Sequence, residues 1–348
     1  MNRSAAGAAG PGADLRQALD AMPQVALGHW PTPLEPLPRL SAHLGGPPIW
    51  VKRDDCTGLG LGGNKVRKLE FLLGEARAAG ATTIITVGGV QSNHARQTAA
   101  ACARLGLRCE LVLSRMVARH DAAYETGGNV LLDGLFGAEV RIFDDMQSAA
   151  ERVLEALAEA EKRGECATFF PGGGSTATGA MGYVRAAIEL EQQWGAADSA
   201  GSGIAGSRPQ RILLASSTGG TLAGLVLGLH ALRAAVPVTA IAVYGTAVAT
   251  SAAVAGLVAE AAAKLDIKTP SPTAIDVRDG FLGSGYGKPT DAMREALSTC
   301  ARLEGLVLDP VYSGKGMAGL FAAVRSGELS GDAPVIFLHT GGSPALFV

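Results

Sequence analysis

Gly62-Gly63-Asn64-Lys65-Val66-Arg67-Lys68-Leu69-Glu70 is the stretch on which the reading of this chain turns. Asn64 is of the type preferred at helix N-caps, and Leu69, Leu72, Leu73 and Ala76 recur behind it at helical spacing. The spacing predicts a helix over 65–78 with Lys65 in its first turn. The partial positive charge of a helix start disfavours an ammonium ion there and favours the neutral amine. A neutral lysine amine is the species that condenses with an aldehyde. On these residues alone, a solvated first-turn lysine is the better reading; the rest of the chain overturns it.

Working outward, short β-branched runs alternate with Ala- and Leu-rich stretches. Strands are expected at 49–53, 83–87, 109–113, 139–143, 168–170, 212–215, 238–243, 306–308 and 335–338. Helices are expected at 65–78, 93–105, 149–162, 177–194, 222–235, 251–265, 291–305 and 315–326. That alternation predicts an α/β fold with parallel-rich twisted sheets covered by helices on both faces. Two lobes are expected: a flexible tail over 1–24 with one short helix, a large domain from 25–79 plus 175–348, and a smaller inserted domain over 80–174. The Gly-, Ser- and Ala-rich segment 196–209 reads as a surface loop.

Composition narrows the function. The 348 residues are 47% apolar, which suffices for a large core, and 30 basic against 32 acidic side chains leave no cationic excess for nucleic acid. Five scattered cysteines without a Cys-x-x-Cys pair point to a reducing, cytoplasmic setting, and neither they nor the six histidines show metal-ligand spacing. The uncharged run over 234–259 is broken by Pro237, Gly245 and Thr246, so it reads as a strand leading into a core helix and not as a membrane span.

In parallel sheets, ligands bind where strand ends lead into helices. Four such junctions stand out: Gly88 to His94, Pro171 to Ser175, Ser216 to Thr221, and His339 to Ser343. Ser216-Ser217-Thr218-Gly219-Gly220-Thr221 has the small residues, hydroxyls and helix start of a phosphate cup, without the lysine of a nucleoside-triphosphate loop. Ser92 is placed to cap a helix beginning near Asn93, and the same helix start suits a carboxylate. Tyr286 and Tyr312 lie in glycine-flanked turns, where a phenol can act as acid or base instead of core filler.

Taken together, these motifs resemble the pyridoxal-phosphate enzymes of the tryptophan-synthase-β-like group (fold type II). Within it they resemble the branch holding 1-aminocyclopropane-1-carboxylate deaminase, D-cysteine desulfhydrase and L-cysteate sulfo-lyase. The likeness runs through Thr32-Pro33-Leu34, Lys52-Arg53-Asp54-Asp55, Gly62 to Glu70, Gln91 to Gln97, Asp309 to Gly319 and His339 to Phe347. The resemblance implies that Lys65 holds pyridoxal 5'-phosphate as a Schiff base. It implies that Asn93 bonds the ring hydroxyl oxygen, and that Thr218, Gly219, Gly220 and Thr221 grip the phosphate with help from Lys68. Ser92, Asn93 and His94 would meet the substrate, with Ser92, Tyr286 and Tyr312 beside Lys65 as catalytic groups.

One departure directs the choice of substrate. The deaminase pattern has a glutamate where this chain has Ser313, and Thr340 becomes the expected partner of the ring nitrogen. A hydroxyl leaves that nitrogen less positive, a weaker electron sink suited to losing a good leaving group at Cβ. The expectation is a β-eliminating lyase acting on a small amino acid. D-cysteine is first choice, L-cysteate next (Arg115, Arg119 and His120 as sulfonate donors, against a solvated basic turn), then the cyclopropane substrate. A non-catalytic pyridoxal-phosphate binder is the alternative from another class, and the resemblance implies a homodimer.

Overall fold

The computed structural model describes residues 11–195 and 207–348. Residues 1–10 of the expected tail and 196–206 of the expected loop lie outside them. In chain order the elements are α1 (Pro11–Asp20), β1 (Leu34–Pro36), α2 (Pro38–Leu44), β2 (Ile49–Arg53), α3 (Lys65–Ala78), β3 (Thr83–Gly89), α4 (Asn93–Leu105) and β4 (Arg108–Ser114). Then come α5 (Ala122–Thr126), α6 (Gly128–Leu135), β5 (Glu139–Phe143), α7 (Met146–Lys162), β6 (Ala167–Phe170), α8 (Ala177–Gly195) and β7 (Arg211–Ser216). The chain closes with α9 (Gly220–Ala231), β8 (Val238–Ala242), α10 (Ala247–Lys264), β9 (Asp276–Arg278), α11 (Asp291–Glu304), α12 (Ser313–Arg325) and β10 (Val335–His339).

Two sheets result. The larger has six strands in the order β1-β2-β10-β7-β8-β9, parallel except for β1; the smaller has four parallel strands in the order β5-β4-β3-β6. The chain of the smaller sheet, Thr83 to Phe170, interrupts that of the larger between β2 and β7. Every residue of β8 and β10 is buried, as expected of parallel strands covered on both faces. Ile212, Leu214, Ile336 and Leu338 face α8, α9 and α10, while Leu213, Val335 and Phe337 face α2, α11 and α12. In the smaller sheet, Ile84, Leu111 and Leu113 pack with α3 and α4, and Ile85 and Val112 with α7.

Helix starts follow local chemistry: Ser92, Asp121, Asp145, Thr246 and Thr290 each accept a backbone N–H from the first turn behind them. Three expectations need correction or refinement. The tail does not hang free from residue 11 onward, because α1 buries Leu15 and Leu19, four apart on one face, in the main core. Residues 306–308 form no strand: the Leu306 N–H goes to Cys300 O, and Val307 O meets His339 Nε2 at 2.9 Å. The uncharged run over 234–259 divides into buried β8 and α10. By length and composition α10 matches a membrane span, yet it packs Val254, Val258, Ala261 and Ala262 into the core.

Candidate active site

The parallel strands of both sheets direct their carboxyl ends at one cavity of about 620 Å³. Gly88 and Gly89 end β3, Ser216 ends β7, Tyr244 follows β8 and Thr340 follows β10, and all of them line it. The cavity also gathers all the predicted residues: Lys65, Lys68, Ser92, Asn93, His94, Thr218, Gly219, Gly220, Thr221, Tyr286, Tyr312 and Thr340.

Lys65 opens α3, but not as Asn64's residue type suggests. Asn64 is in helical conformation and its side chain caps nothing. The N–H groups of Lys65 and Val66 instead donate to Gln97 Oε1 from α4, at 3.0 and 3.2 Å. Asn64 is thereby released to bridge the site: its Oδ1 accepts from Lys65 Nζ at 2.9 Å and its Nδ2 donates to Thr221 Oγ1 at 3.0 Å. The approach requires glycine at 62, where φ is +68° and a Cβ would lie 1.9 Å from Asp55 O. Behind Lys65 the helix is bolted down. Arg67 donates to Asp54 at 2.8 Å through both Nε and Nη2, and to Glu189, within a buried cluster that includes Lys52, Thr32 and Tyr183. Glu70 Oε1 takes N–H bonds from Leu27, Gly28 and the Trp30 indole.

The Lys65 amine is held down to about 8, first by burial and then by the Arg96 guanidinium, with Asp309 opposing. Desolvation and a neighbouring cation therefore do the work that the sequence reading assigned to the helix dipole. Lys68, one turn along, is pushed well below its ordinary value by burial and by Lys65. Its Nζ donates to Gly173 O at 3.0 Å and to Ser175 Oγ at 3.3 Å.

Those bonds place Lys68 against the start of α9. Gly219 takes φ +82°, Gly220 begins the helix, and a Cβ on Gly220 would sit 2.7 Å from Ser175 Oγ and 2.8 Å from Lys68 Nζ. Ser175 Oγ also meets Thr218 Oγ1 at 2.7 Å and accepts the Gly220 N–H at 3.2 Å. Helix N–H groups, hydroxyls and the Lys68 amine converging on a notch without side chains form an anion cradle.

On the other wall, Ser92 Oγ accepts from Ala95 N at 3.1 Å, a cap that leaves its own hydrogen free to donate. The first-turn N–H groups of Asn93 and His94 point the same way. His94 Nε2 lies 2.9 Å from Thr86 Oγ1, whose single hydrogen goes to Phe170 O at 2.8 Å. Nε2 must therefore carry the proton, and buried Nδ1 is a bare lone pair without a protein partner among the described residues. Burial, then Lys65 and Lys68, hold the ring far below its ordinary pKa, so it is neutral.

Tyr286 and Tyr312 join hydroxyl to hydroxyl, and Tyr244 packs edge-on to Tyr286 at 5.2 Å. Burial pushes Tyr286 up to about 12, and burial together with Tyr286 raises Tyr312 well above the ordinary phenol value. Lys315 fastens this wall by donating to Leu282 O at 2.7 Å. Asp309 Oδ2 accepts the N–H groups of Val311 and Tyr312, and its Oδ1 accepts the N–H and hydroxyl of Ser313. Ser313 is fully buried, and its hydroxyl is committed to that turn. Thr340 faces the cavity and its carbonyl receives the Asn64 N–H at 3.0 Å.

Sequence reasoning gave no role to Asn129 or Tyr244, and none of their own to Gln97, Ser175 and Lys315, although these three lie in stretches it marked. Tyr244 stood at a strand's carboxyl end, the signal that found the others. Arg115, Arg119 and His120 lie outside the cavity lining: Arg115 pairs with Glu125 and Asp144, Arg119 with Asp121, and His120 lies beside Glu125.

A family model described as pyridoxal-phosphate dependent enzyme matches residues 25–341. D-cysteine desulfhydrase from Klebsiella pneumoniae (strain 342) is 40% identical over 331 residues, 95% of this chain and 97% of its own. D-cysteine desulfhydrase from Salmonella choleraesuis (strain SC-B67) is 40% identical over 94% of this chain and 97% of its own. Among solved structures, an ACC deaminase homologue superposes with a TM-score of 0.84 at 37% identity, covering 96% of both chains. A threonine deaminase from T.th., at 21% identity and a TM-score of 0.65 over 95% of this chain and 97% of its own, shares the fold.

Proposed function

Because the chain belongs to the pyridoxal-phosphate dependent enzyme family, we propose that it is a lyase that eliminates sulfide from D-cysteine, yielding pyruvate, ammonia and hydrogen sulfide. The observation that carries this reading is the 40% identity to D-cysteine desulfhydrases along 95% of the chain. The buried position of Ser313 supports it, since Thr340 is then the hydroxyl left to face a ring nitrogen.

The residues fit the cofactor. The notch at Gly220 would be filled by a single Cβ, the donors around it suit a phosphate dianion, and a lysine with a lowered pKa stands in the same cavity. Gly219, Gly220, Thr221, Thr218 and Lys68 would hold the phosphate, Asn93 the ring oxygen and Thr340 the ring nitrogen. Bound there, pyridoxal phosphate supplies an aldehyde for Lys65 and a ring that accepts the electron pair left when Cα loses its proton.

The chain's own groups supply the rest. The Ser92 hydroxyl and the N–H groups of Asn93 and His94 are donors for the substrate carboxylate; the His94 ring, with Nδ1 bare, is not. Lys65, substantially neutral near pH 8, would take the proton from Cα. Tyr286 and Tyr312 hold their protons at neutral pH, so they serve as acids, and one protonates the sulfur as the Cβ–S bond breaks. The carbon skeleton leaves as an enamine, which water converts to pyruvate and ammonia. The ion-paired Arg115 and Arg119 weigh against a sulfonate substrate.

We extend the reading to a cytoplasmic homodimer without membrane or nucleic-acid partners. Five free cysteines support the compartment, and exposed Leu131 and Leu135 on α6, packed beside a C-terminal segment with exposed Phe347, support self-association. The test is steady-state turnover of D-cysteine, L-cysteate and 1-aminocyclopropane-1-carboxylate. Sulfide release from D-cysteine is expected to dominate, and turnover of the cyclopropane substrate alone refutes the choice. The purified protein should show a visible absorption band that Lys65→Ala removes.

A further inference from the structure

We propose that Asn129, the second residue of α6, is a positioning residue that fixes which end of the Asn93 amide faces the cofactor. The proposal rests on the reading above, in which Asn93 meets the ring oxygen.

Asn129 is fully buried, and its Nδ2 lies 3.1 Å from Gln91 O and 3.1 Å from Asn93 Oδ1. A backbone carbonyl can only accept, so the group facing Gln91 O must be the NH2 end of Asn129. Its second hydrogen then points at Asn93, and the Asn93 atom that meets it must be the carbonyl oxygen. The NH2 of Asn93 is left for the cavity, where it is a donor.

Gln91 secures the arrangement from the other side. Its Nε2 donates to Tyr124 O at 2.5 Å and Gly127 O at 3.1 Å, so its Oε1 is the atom that accepts the Asn129 N–H at 2.8 Å. Each amide in the series Gln91, Asn129, Asn93 therefore has one permitted orientation, set by backbone carbonyls. Turning Asn129 over would oppose its oxygen to two others at a position buried from solvent. A phenolic oxygen that shares negative charge with the ring needs a donor, and this series guarantees one. Without Asn129, Asn93 can present its oxygen to that spot as readily as its nitrogen.

The test is spectroscopic and uses the holoenzyme. Asn129→Leu keeps the shape and removes both donors. Its bound chromophore is expected to shift from the visible form toward the near-ultraviolet form protonated on the ring oxygen. The pH midpoint of the visible band should move by about one unit, about 1.4 kcal/mol, in the same direction as in Asn93→Ala. In an Asn93→Ala background, adding Asn129→Leu should leave the midpoint where it was. If Asn129→Leu does not fold, Asn129→Ala is read in the same way. A wild-type midpoint in the single variant, or an equal shift in both backgrounds, overturns the proposal. A wild-type protein that takes up no visible chromophore refutes the cofactor assignment itself, which is a different failure.

Discussion

Replacing Gly220 by alanine separates the anion cradle from the rest of the site. Gly220 has ordinary helical backbone at the start of α9, so alanine suits the conformation and gains up to about 1 kcal/mol in helix propensity. The added Cβ lies 2.7 Å from Ser175 Oγ and 2.8 Å from Lys68 Nζ, the mobile ends of side chains that can turn aside, and 3.1 Å from Ser175 Cα. The fold should therefore survive with its thermal midpoint within a few degrees of wild type. The methyl group would, however, fill the notch between Ser175 and Lys68 in which the cradle would hold a phosphate. A hydrogen bond to a charged group contributes about 1.5–3 kcal/mol, so losing one weakens binding roughly tenfold to a hundredfold. The assay is titration of the apo protein with pyridoxal phosphate, followed by its visible band, with unphosphorylated pyridoxal in parallel. Weakening is expected only for the phosphorylated compound. Unchanged affinity, or an equal loss for both compounds, refutes the cradle.

Three further outcomes are expected. Arg67→Met leaves Asp54 buried without its guanidinium partner and should destabilise the apo protein by about 3–5 kcal/mol, measured by urea denaturation; a loss under about 1 kcal/mol, on the scale of an exposed pair, would contradict a structural role for that cluster. In the apo protein, Lys65 titrates near 8, so its labelling by an amine-reactive ester should rise about tenfold per pH unit below that point and level off above it. Labelling that still climbs toward the ordinary lysine range, as mass spectrometry would reveal, removes the argument for a tuned amine. Tyr286→Phe and Tyr312→Phe should each lower kcat for D-cysteine, by about a hundredfold or more for the phenol that protonates sulfur, because the two hydroxyls are joined and both keep their protons at neutral pH; cofactor affinity should be nearly unchanged in both.

What the chain announced in its sequence was the ends of its strands. Lys65, Ser92, Asn93 and the Ser216 to Thr221 turn could be found because parallel strands deliver their following loops to one edge, and glycine, serine and asparagine mark those loops. The residues that hold them in place were hidden because their partners are far off in the chain. Gln97 caps a helix that starts 32 residues earlier, Asn129 orients an asparagine 36 residues before it, and Ser175 closes a cup 45 residues ahead. Asn64 shows the limit of residue-type reasoning. Its identity predicted a cap, but a competing acceptor took the N–H groups and its side chain turned to Lys65 and Thr221. Residues 306–308 show the same limit, since β-propensity cannot say whether a neighbouring strand is present to pair with them.

The turn at Asp309 restricts how this catalyst can change its chemistry. With Ser313 sealed against Asp309, a glutamate introduced at 313 would remove the hydroxyl that now joins the Asp309 N–H to its Oδ1, and its longer side chain would have to leave that buried turn. Acquiring a carboxylate at 313 would thus ask the Asp309 turn to replace the contacts that the Ser313 hydroxyl now makes. An engineer seeking ring-opening activity should therefore keep Asp309, which holds the Tyr312 turn through two backbone N–H groups, and repack the space around position 313.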